Sequence, residues 1–207
     1  IVEGYKIART NLVFSLSAAE SKYVVVTSWS KGEGKSTATA NLAISFSKMG
    51  KKVLLIDGDL RLPSVAKKMK LPNSPGLTDL LKGNETVQMS SFKSELLSNW
   101  YILPSGDLPP NPSELLGSKR MENLLKHFSK SFDFIIFDLP PVNIVSDALT
   151  VSKFISGMVV VIREDYTEKK ELETCFRQLK LSNVNVLGCV MNEAENSGGN
   201  SGRYKKY

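Results

Sequence analysis

Residues 30–37, Ser-Lys-Gly-Glu-Gly-Lys-Ser-Thr, hold the densest chemistry in the chain. Gly32 and Gly34 let a backbone close tightly around a ligand, and Lys35-Ser36 adds an ammonium and a hydroxyl directly after it. Where such a turn joins a strand to a helix, successive N–H groups point inward and the helix N-terminus adds positive potential. The chemistry is then phosphate binding. Lys35 is expected to span the terminal phosphates of a nucleotide and the Ser36 hydroxyl to ligate Mg²⁺. Lys31, Gly32, Glu33, Gly34 and Thr37 complete the predicted loop contacts, with Thr37 beside the inner phosphates. The start of the motif is irregular: Trp29 stands five places before Gly34, where the common pattern has a glycine.

A Gly-x-Gly-Lys-Ser string also occurs in plain loops, so carboxylates elsewhere decide its meaning. The run 132–138, Phe-Asp-Phe-Ile-Ile-Phe-Asp, is apolar and ends in Asp138, the usual place for a group that reaches Mg²⁺ through water. The run 53–61, Val-Leu-Leu-Ile-Asp-Gly-Asp-Leu-Arg, ends in Asp57 and Asp59 with Arg61 following. Alone, Asp-Gly-Asp reads as an ordinary strand-to-loop turn. Three carboxylates at strand ends of the same sheet as a Gly-Lys-Ser loop read instead as a Mg-nucleotide site, with Ser36, Asp57 and Asp138 facing the metal.

The elements that must position these groups are legible as short β-rich runs at 23–28, 53–57, 100–104, 134–138, 158–163 and 184–191. Most are continuously apolar, as expected of strands buried on both faces. Amphipathic stretches at 35–49, 112–129 and 168–182 lie between them. The alternation predicts an α/β fold, a mostly parallel sheet sandwiched by helices. At 111–114, Asn-Pro-Ser-Glu reads as a capped helix start.

The 207 residues suit one domain, over 1–195, followed by a Gly/Ser/Asn-rich tail at 196–207. No apolar run approaches the ~20 residues of a membrane helix. The chain begins at Ile1 rather than Met, so it is expected to be a piece of something longer whose membrane anchor could lie elsewhere. The net charge of +6 comes from scattered residues and argues against nucleic acid as a partner. Cys175 and Cys189 fit neither a Cys-x-x-Cys pair nor zinc spacing and read as reduced core thiols. His127 reads as a surface residue.

The segments 24–43, 53–63, 104–118 and 134–147 together resemble the bacterial tyrosine kinases of capsule and exopolysaccharide synthesis, and are close to the Gram-positive type, whose cytoplasmic kinase is activated by a separate membrane protein. Ile-Asp-Gly-Asp-Leu-Arg-Leu-Pro (56–63) is similar to that family's second Walker-like motif. Residues 135–148 are similar to its Walker B segment, and 109–118 to its Pro-Pro-Asn-Pro-x-Glu-Leu-Leu-x-Ser stretch. The family's loop often lacks the first glycine, which accounts for Trp29.

The resemblance implies a P-loop fold of the deviant Walker A class and Mg-ATP-dependent transfer of the γ-phosphoryl group to tyrosine. It implies Lys35 as the charge stabiliser, Asp57 as the group that orients or deprotonates the tyrosine, and Asp59 in support, with those two roles exchangeable. Asn192 matches a family residue that faces the adenine. Tyr204 and Tyr207 are the implied phosphoacceptors, reached in trans. Glu3, Lys6 and Arg9 match a Glu-x-x-Arg-x-x-Arg self-association motif, with Lys6 in the middle place and its bidentate fork lost. Implied partners are further copies of the chain, a membrane co-polymerase-type activator and other tyrosine-bearing proteins. The implied location is the cytoplasmic face of the membrane.

Two other readings share these residues. A partition- or division-site ATPase has the same fold but places a lysine where this chain has Ser30, with Lys31 one position late. A nucleotide-sensing scaffold of a polysaccharide machine would need no turnover, although every charged group for handling phosphate and metal is present.

Overall fold

The computed structural model describes residues 2–19, 22–83, 88–144 and 147–194. Six strands form one sheet in the order β3-β2-β4-β1-β5-β6: β1 (Tyr23–Ser28), β2 (Val53–Asp57), β3 (Trp100–Leu103), β4 (Phe134–Asp138), β5 (Gly157–Arg163) and β6 (Val186–Asn192). Every neighbouring pair is parallel. In β1, β2 and β4 every residue is buried, which is why these runs show no polar alternation.

Alternate side chains feed two cores. Val25, Leu54, Ile56, Ile135 and Phe137 enter one, and Val24, Val53, Leu55, Phe134 and Ile136 the other. The first is covered by α4 (Leu77–Lys82), α5 (Pro112–Leu116), α6 (Lys119–Phe128), α7 (Asp147–Val151) and α8 (Lys169–Leu181). The second is covered by α1 (Val2–Ser15), α2 (Lys35–Lys48) and α3 (Val65–Met69). In α2, Ala38, Leu42 and Phe46 recur at helical spacing on the sheet, and Phe46 stacks on Phe134 with ring centroids 4.1 Å apart. Burial on both faces fixes the C-terminal ends of β1, β4 and β2 side by side, where open α/β sheets bind ligands.

Some expectations need correction. The single helix read over 112–129 is two, α5 and α6, broken at Gly117 and Ser118. A Cβ on Gly117 would sit 2.7 Å from Thr150 Cγ2, so only glycine permits this approach to α7, and the Ser118 hydroxyl then caps α6 by accepting from the Met121 N–H. Asn111 does not cap α5; its amide donates to Glu114 Oε2 at 2.7 Å. β6 starts at Val186 rather than 184, after a turn closed by Val184 N–H on the Leu179 carbonyl.

Cys175 is buried, and burial pushes its thiol up to about 12. Cys189 lies exposed on the edge strand β6, not in the core. His127 is exposed on α6. Tyr204, Tyr207 and the whole of 196–207 lie outside the described residues.

Candidate active site

β1 ends at Ser28, and the loop 29–34 turns directly into α2 at Lys35. Gly32 and Gly34 hold φ of 83° and 86°, the left-handed region that glycine enters without strain. Gly34 is doubly constrained, because a Cβ there would meet Asn192 Nδ2 at 2.0 Å.

The loop is braced from outside by the β5–α8 connection. Tyr166 donates its hydroxyl to the Lys31 carbonyl (3.1 Å), and Arg163 Nη1 donates to the Gly32 carbonyl (3.3 Å). Thr167 donates its hydroxyl to Glu33. Glu33 is fully buried and also accepts from the Ser30 N–H at 2.8 Å. Its side chain therefore holds the loop from behind, and what it can offer a phosphate is its backbone. Asn192 donates its amide to the Glu33 carbonyl at 3.2 Å. In this structure it too is a brace, and it does not line the cavity.

Inside the turn, Lys35 Nζ lies 3.2 Å from both Asp138 Oδ1 and Asp59 Oδ2. Asp138 pairs in register with Asp57 across β4 and β2 and with Val26 on β1, so the two carboxylates share one row. Burial opposes the charge on Lys35, but Asp138 and Asp59 outweigh it and hold the ammonium above its usual range. Burial raises Asp138 despite Lys35 beside it.

Asp57 is pushed up to about 7 by burial first and then by the neighbouring Asp138 charge. Its oxygens accept from the backbone N–H groups of Asp59 (3.2 Å), Ser64 (3.0 Å) and Val65 (2.9 Å). Asp57 is thus the knot that ties the 57–65 loop to α3. Asp59 lines the cavity, and Asp57 and Asp138 do not.

The residues fit a Mg²⁺ ion. Asp138 Oδ2 is buried with no hydrogen-bond partner, a costly state for a carboxylate oxygen unless a ligand completes it. The Ser36 hydroxyl sits close by, accepting from Ser64 Oγ at 2.8 Å. Mg²⁺ is usually held by one or two carboxylates plus substrate phosphates, and Asp138 with the Ser36 hydroxyl supplies the protein's share of such a set.

A cavity of about 450 Å³ opens above these groups, lined by the loop, Ser36 and Thr37 and also by Lys68, Arg61, Leu62 and Ile144. Lys68 reaches from α3 to donate to Thr37 Oγ1 at 3.3 Å. The sequence reading missed it, and also the cluster around Arg61. Arg61 Nε donates to Asp147 Oδ2 at 2.9 Å and Nη2 to Ser113 Oγ at 3.2 Å, and Ser113 donates to Asp147. Asp147 is fully buried. Arg61, Ser113 and Asp147 belong to the three motif segments that follow the loop, and this cluster joins them. The available signal was that Arg61, Ser113 and Asp147 each stand within one of those motif segments.

Glu3 and Lys6 pair with each other at 2.9 Å on the exposed face of α1. Arg9 turns the other way, donating Nη1 to the Ser45 carbonyl of α2 at 3.1 Å.

A loop of this form, rising from a central parallel strand into a helix beside carboxylates on the adjacent strand ends, defines a P-loop nucleotide-binding protein. A family model described as an AAA domain matches residues 21–189. The septum site-determining protein MinD of Pyrococcus horikoshii superposes with a TM-score of 0.67 at 23% identity, over 85% of this chain and 72% of its own, which shows a shared fold.

Closer matches are of one kind. Tyrosine-protein kinase YwqD of Bacillus subtilis is 41% identical over 191 residues, 92% of this chain and 80% of that protein. The chimerical protein CapA2B2 superposes with a TM-score of 0.86 at 35% identity, covering 92% of this chain and 83% of that one. The kinase domain of the Escherichia coli tyrosine kinase ETK gives 0.87 at 28% identity, covering 99% and 80%. This chain belongs to the bacterial tyrosine-kinase family and is a protein-tyrosine kinase.

Proposed function

We propose that the protein transfers the γ-phosphoryl group of Mg-ATP to tyrosines in trans, Tyr204 and Tyr207 of another copy first among them, and through this regulates capsular or exopolysaccharide synthesis and export. The observation that carries the reading is Lys35 suspended between Asp59 and Asp138 at the mouth of a glycine-rich loop. Phosphoryl transfer asks the protein mainly to position its reactants and to offset charge. Lys35 and the loop amides stabilise charge on the transferred group, and Ser36 and Asp138 would hold Mg²⁺, which would supply further charge neutralisation.

The tyrosine oxygen forms a bond to the γ-phosphorus as the bond to the β-bridging oxygen breaks, and the phenol proton passes to a carboxylate. Asp59 suits that last task better than Asp57, because it lines the cavity while Asp57 is saturated by three backbone donors. Asn192 stands at the end of β6 and takes part in the nucleotide site through the loop it braces.

From Asn192, fifteen residues lead to Tyr207, a reach of about 50 Å at ~3.3 Å per residue. That is enough to enter a neighbouring subunit. Self-association through α1, using Glu3, Lys6 and Arg9, would bring subunits within that reach. Ile7 and Phe14, 59% and 73% exposed on the same helix, supply apolar area to such a contact. Among the described residues no helix is long and apolar enough to cross a membrane, so attachment to the inner membrane face is assigned to a co-polymerase-type partner or to an anchor elsewhere.

Incubation with Mg-ATP, with and without a cytoplasmic activator segment, tests the reading by mass-spectrometric mapping of phosphotyrosine. Phosphotyrosine is expected. ATP consumption with none formed under activated conditions would return the protein to the partition-type ATPases.

A further inference from the structure

We propose that Leu62 and Ile144 form an apolar seat for the ring of the acceptor tyrosine, a subsite that selects a phenol over an aliphatic hydroxyl. The proposal rests on the kinase reading and names how that site recognises its acceptor.

Leu62 is 60% exposed and Ile144 44% exposed, yet both line the same cavity as Asp59 and Lys35. A single exposed leucine carries little information. Two large aliphatic side chains opening on one cavity with a few convergent polar groups describe a ligand site. Neither side chain belongs to either core cluster.

The two are also held in place. The Leu62 N–H donates to Asp59 Oδ1 at 3.0 Å, and the Ile144 N–H to the Pro141 carbonyl at 3.2 Å. Arg61, next to Leu62, is anchored on Asp147, three residues past Ile144. One ion pair therefore joins the loop after β2 to the start of α7.

Phosphate needs none of this apolar surface. The loop backbone, Lys35, Ser36, Thr37 and Lys68 supply the polar wall, whereas Leu62 and Ile144 sit on the loops that carry the carboxylates. The occupant that fits is apolar along its length with a hydroxyl at its tip, so that the ring meets Leu62 and Ile144 while the oxygen reaches Asp59. A serine or threonine hydroxyl would have to bring its own peptide backbone into the cavity.

The test uses the full chain and a peptide copying residues 196–207, beside a second copy of that peptide with phenylalanine at both tyrosine positions. Binding is read by fluorescence anisotropy in the presence of a non-hydrolysable ATP analogue. The wild-type protein is expected to bind both peptides. The pair of changes Leu62→Ala and Ile144→Ala is expected to weaken both by tenfold or more, to raise the peptide KM to match and to leave nucleotide affinity unchanged. Leu62→Met should stay within about threefold of wild type. Both positions are exposed, so the melting temperature should hold.

Equal peptide binding by the wild type and the double variant, or no binding by the wild type, would overturn the seat. Peptide binding that depends on Leu62 and Ile144, without any phosphotyrosine from the wild type, would leave the seat standing and refute the kinase reading instead.

Discussion

Lys35 stands between Asp59 and Asp138, 3.2 Å from each, where it offsets buried carboxylate charge and, in the proposed reaction, would face the phosphates. Lys35→Met should lower phosphotyrosine formation by about 10²–10³-fold or more, the scale of losing a preorganised electrostatic donor. Initial-rate assays at saturating Mg-ATP would show it. Asp57 makes a different prediction. Its carboxyl is pushed up to about 7 in the folded protein from 3.8, so between those values the folded form holds a proton that the unfolded chain has released. Stability is then favoured at low pH and lost as pH rises through that window, complete by about 7. Asp138 shifts in the same direction. In metal-free buffer the melting temperature should rise from pH 8 to pH 6, and Asp57→Asn should flatten that slope. An identical slope in the variant would remove Asp57 from this role.

At the scale of elements, the loop after β1 is shaped as much by the β5–α8 connection as by its own glycines. Gly34 has both a positive φ of 86° and Asn192 at 2.0 Å from any added Cβ. Gly34→Ala should cost more than tenfold in nucleotide affinity, measured by titration with a fluorescent ATP analogue, through strain and the displaced brace together. Arg61→Lys keeps the charge but loses the fork that spans Asp147 and Ser113. It should reduce kcat while leaving nucleotide affinity near wild type, separable by single-turnover assay. The parallel sheet was legible because β1, β2 and β4 are buried throughout and so appear as unbroken apolar runs. Lys35 and Asp138 were legible because one starts a helix and the other ends a strand, and Asp59 because it follows the end of β2 by two residues. The Arg61–Asp147 anchor and the Thr167–Glu33 contact span 86 and 134 residues; only the folded topology brings such pairs together. The break between α5 and α6 falls at Ser118, whose backbone is extended and whose hydroxyl caps α6; the local signal was the Gly117-Ser118 pair.

For the whole molecule, the site sits at the end of the sheet where β1, β4 and β2 finish. A tail leaving from the end of β6 can serve a neighbour only if copies meet, and the proposed contact through α1 would use the exposed Glu3–Lys6 pair with Ile7 and Phe14. Arg9 is committed to the Ser45 carbonyl, so assembly through α1 would either leave Arg9 as a brace or draw it away from α2. Trans transfer is the central claim, and a mixing experiment tests it most directly. A Lys35→Met copy bearing Tyr204 and Tyr207 is incubated with Mg-ATP, alone and with active enzyme distinguished by mass. Phosphate on Tyr204 or Tyr207 of the Lys35→Met copy, appearing only when active enzyme is present, is the predicted result. An unmodified Lys35→Met tail beside an active copy that phosphorylates only its own would contradict it.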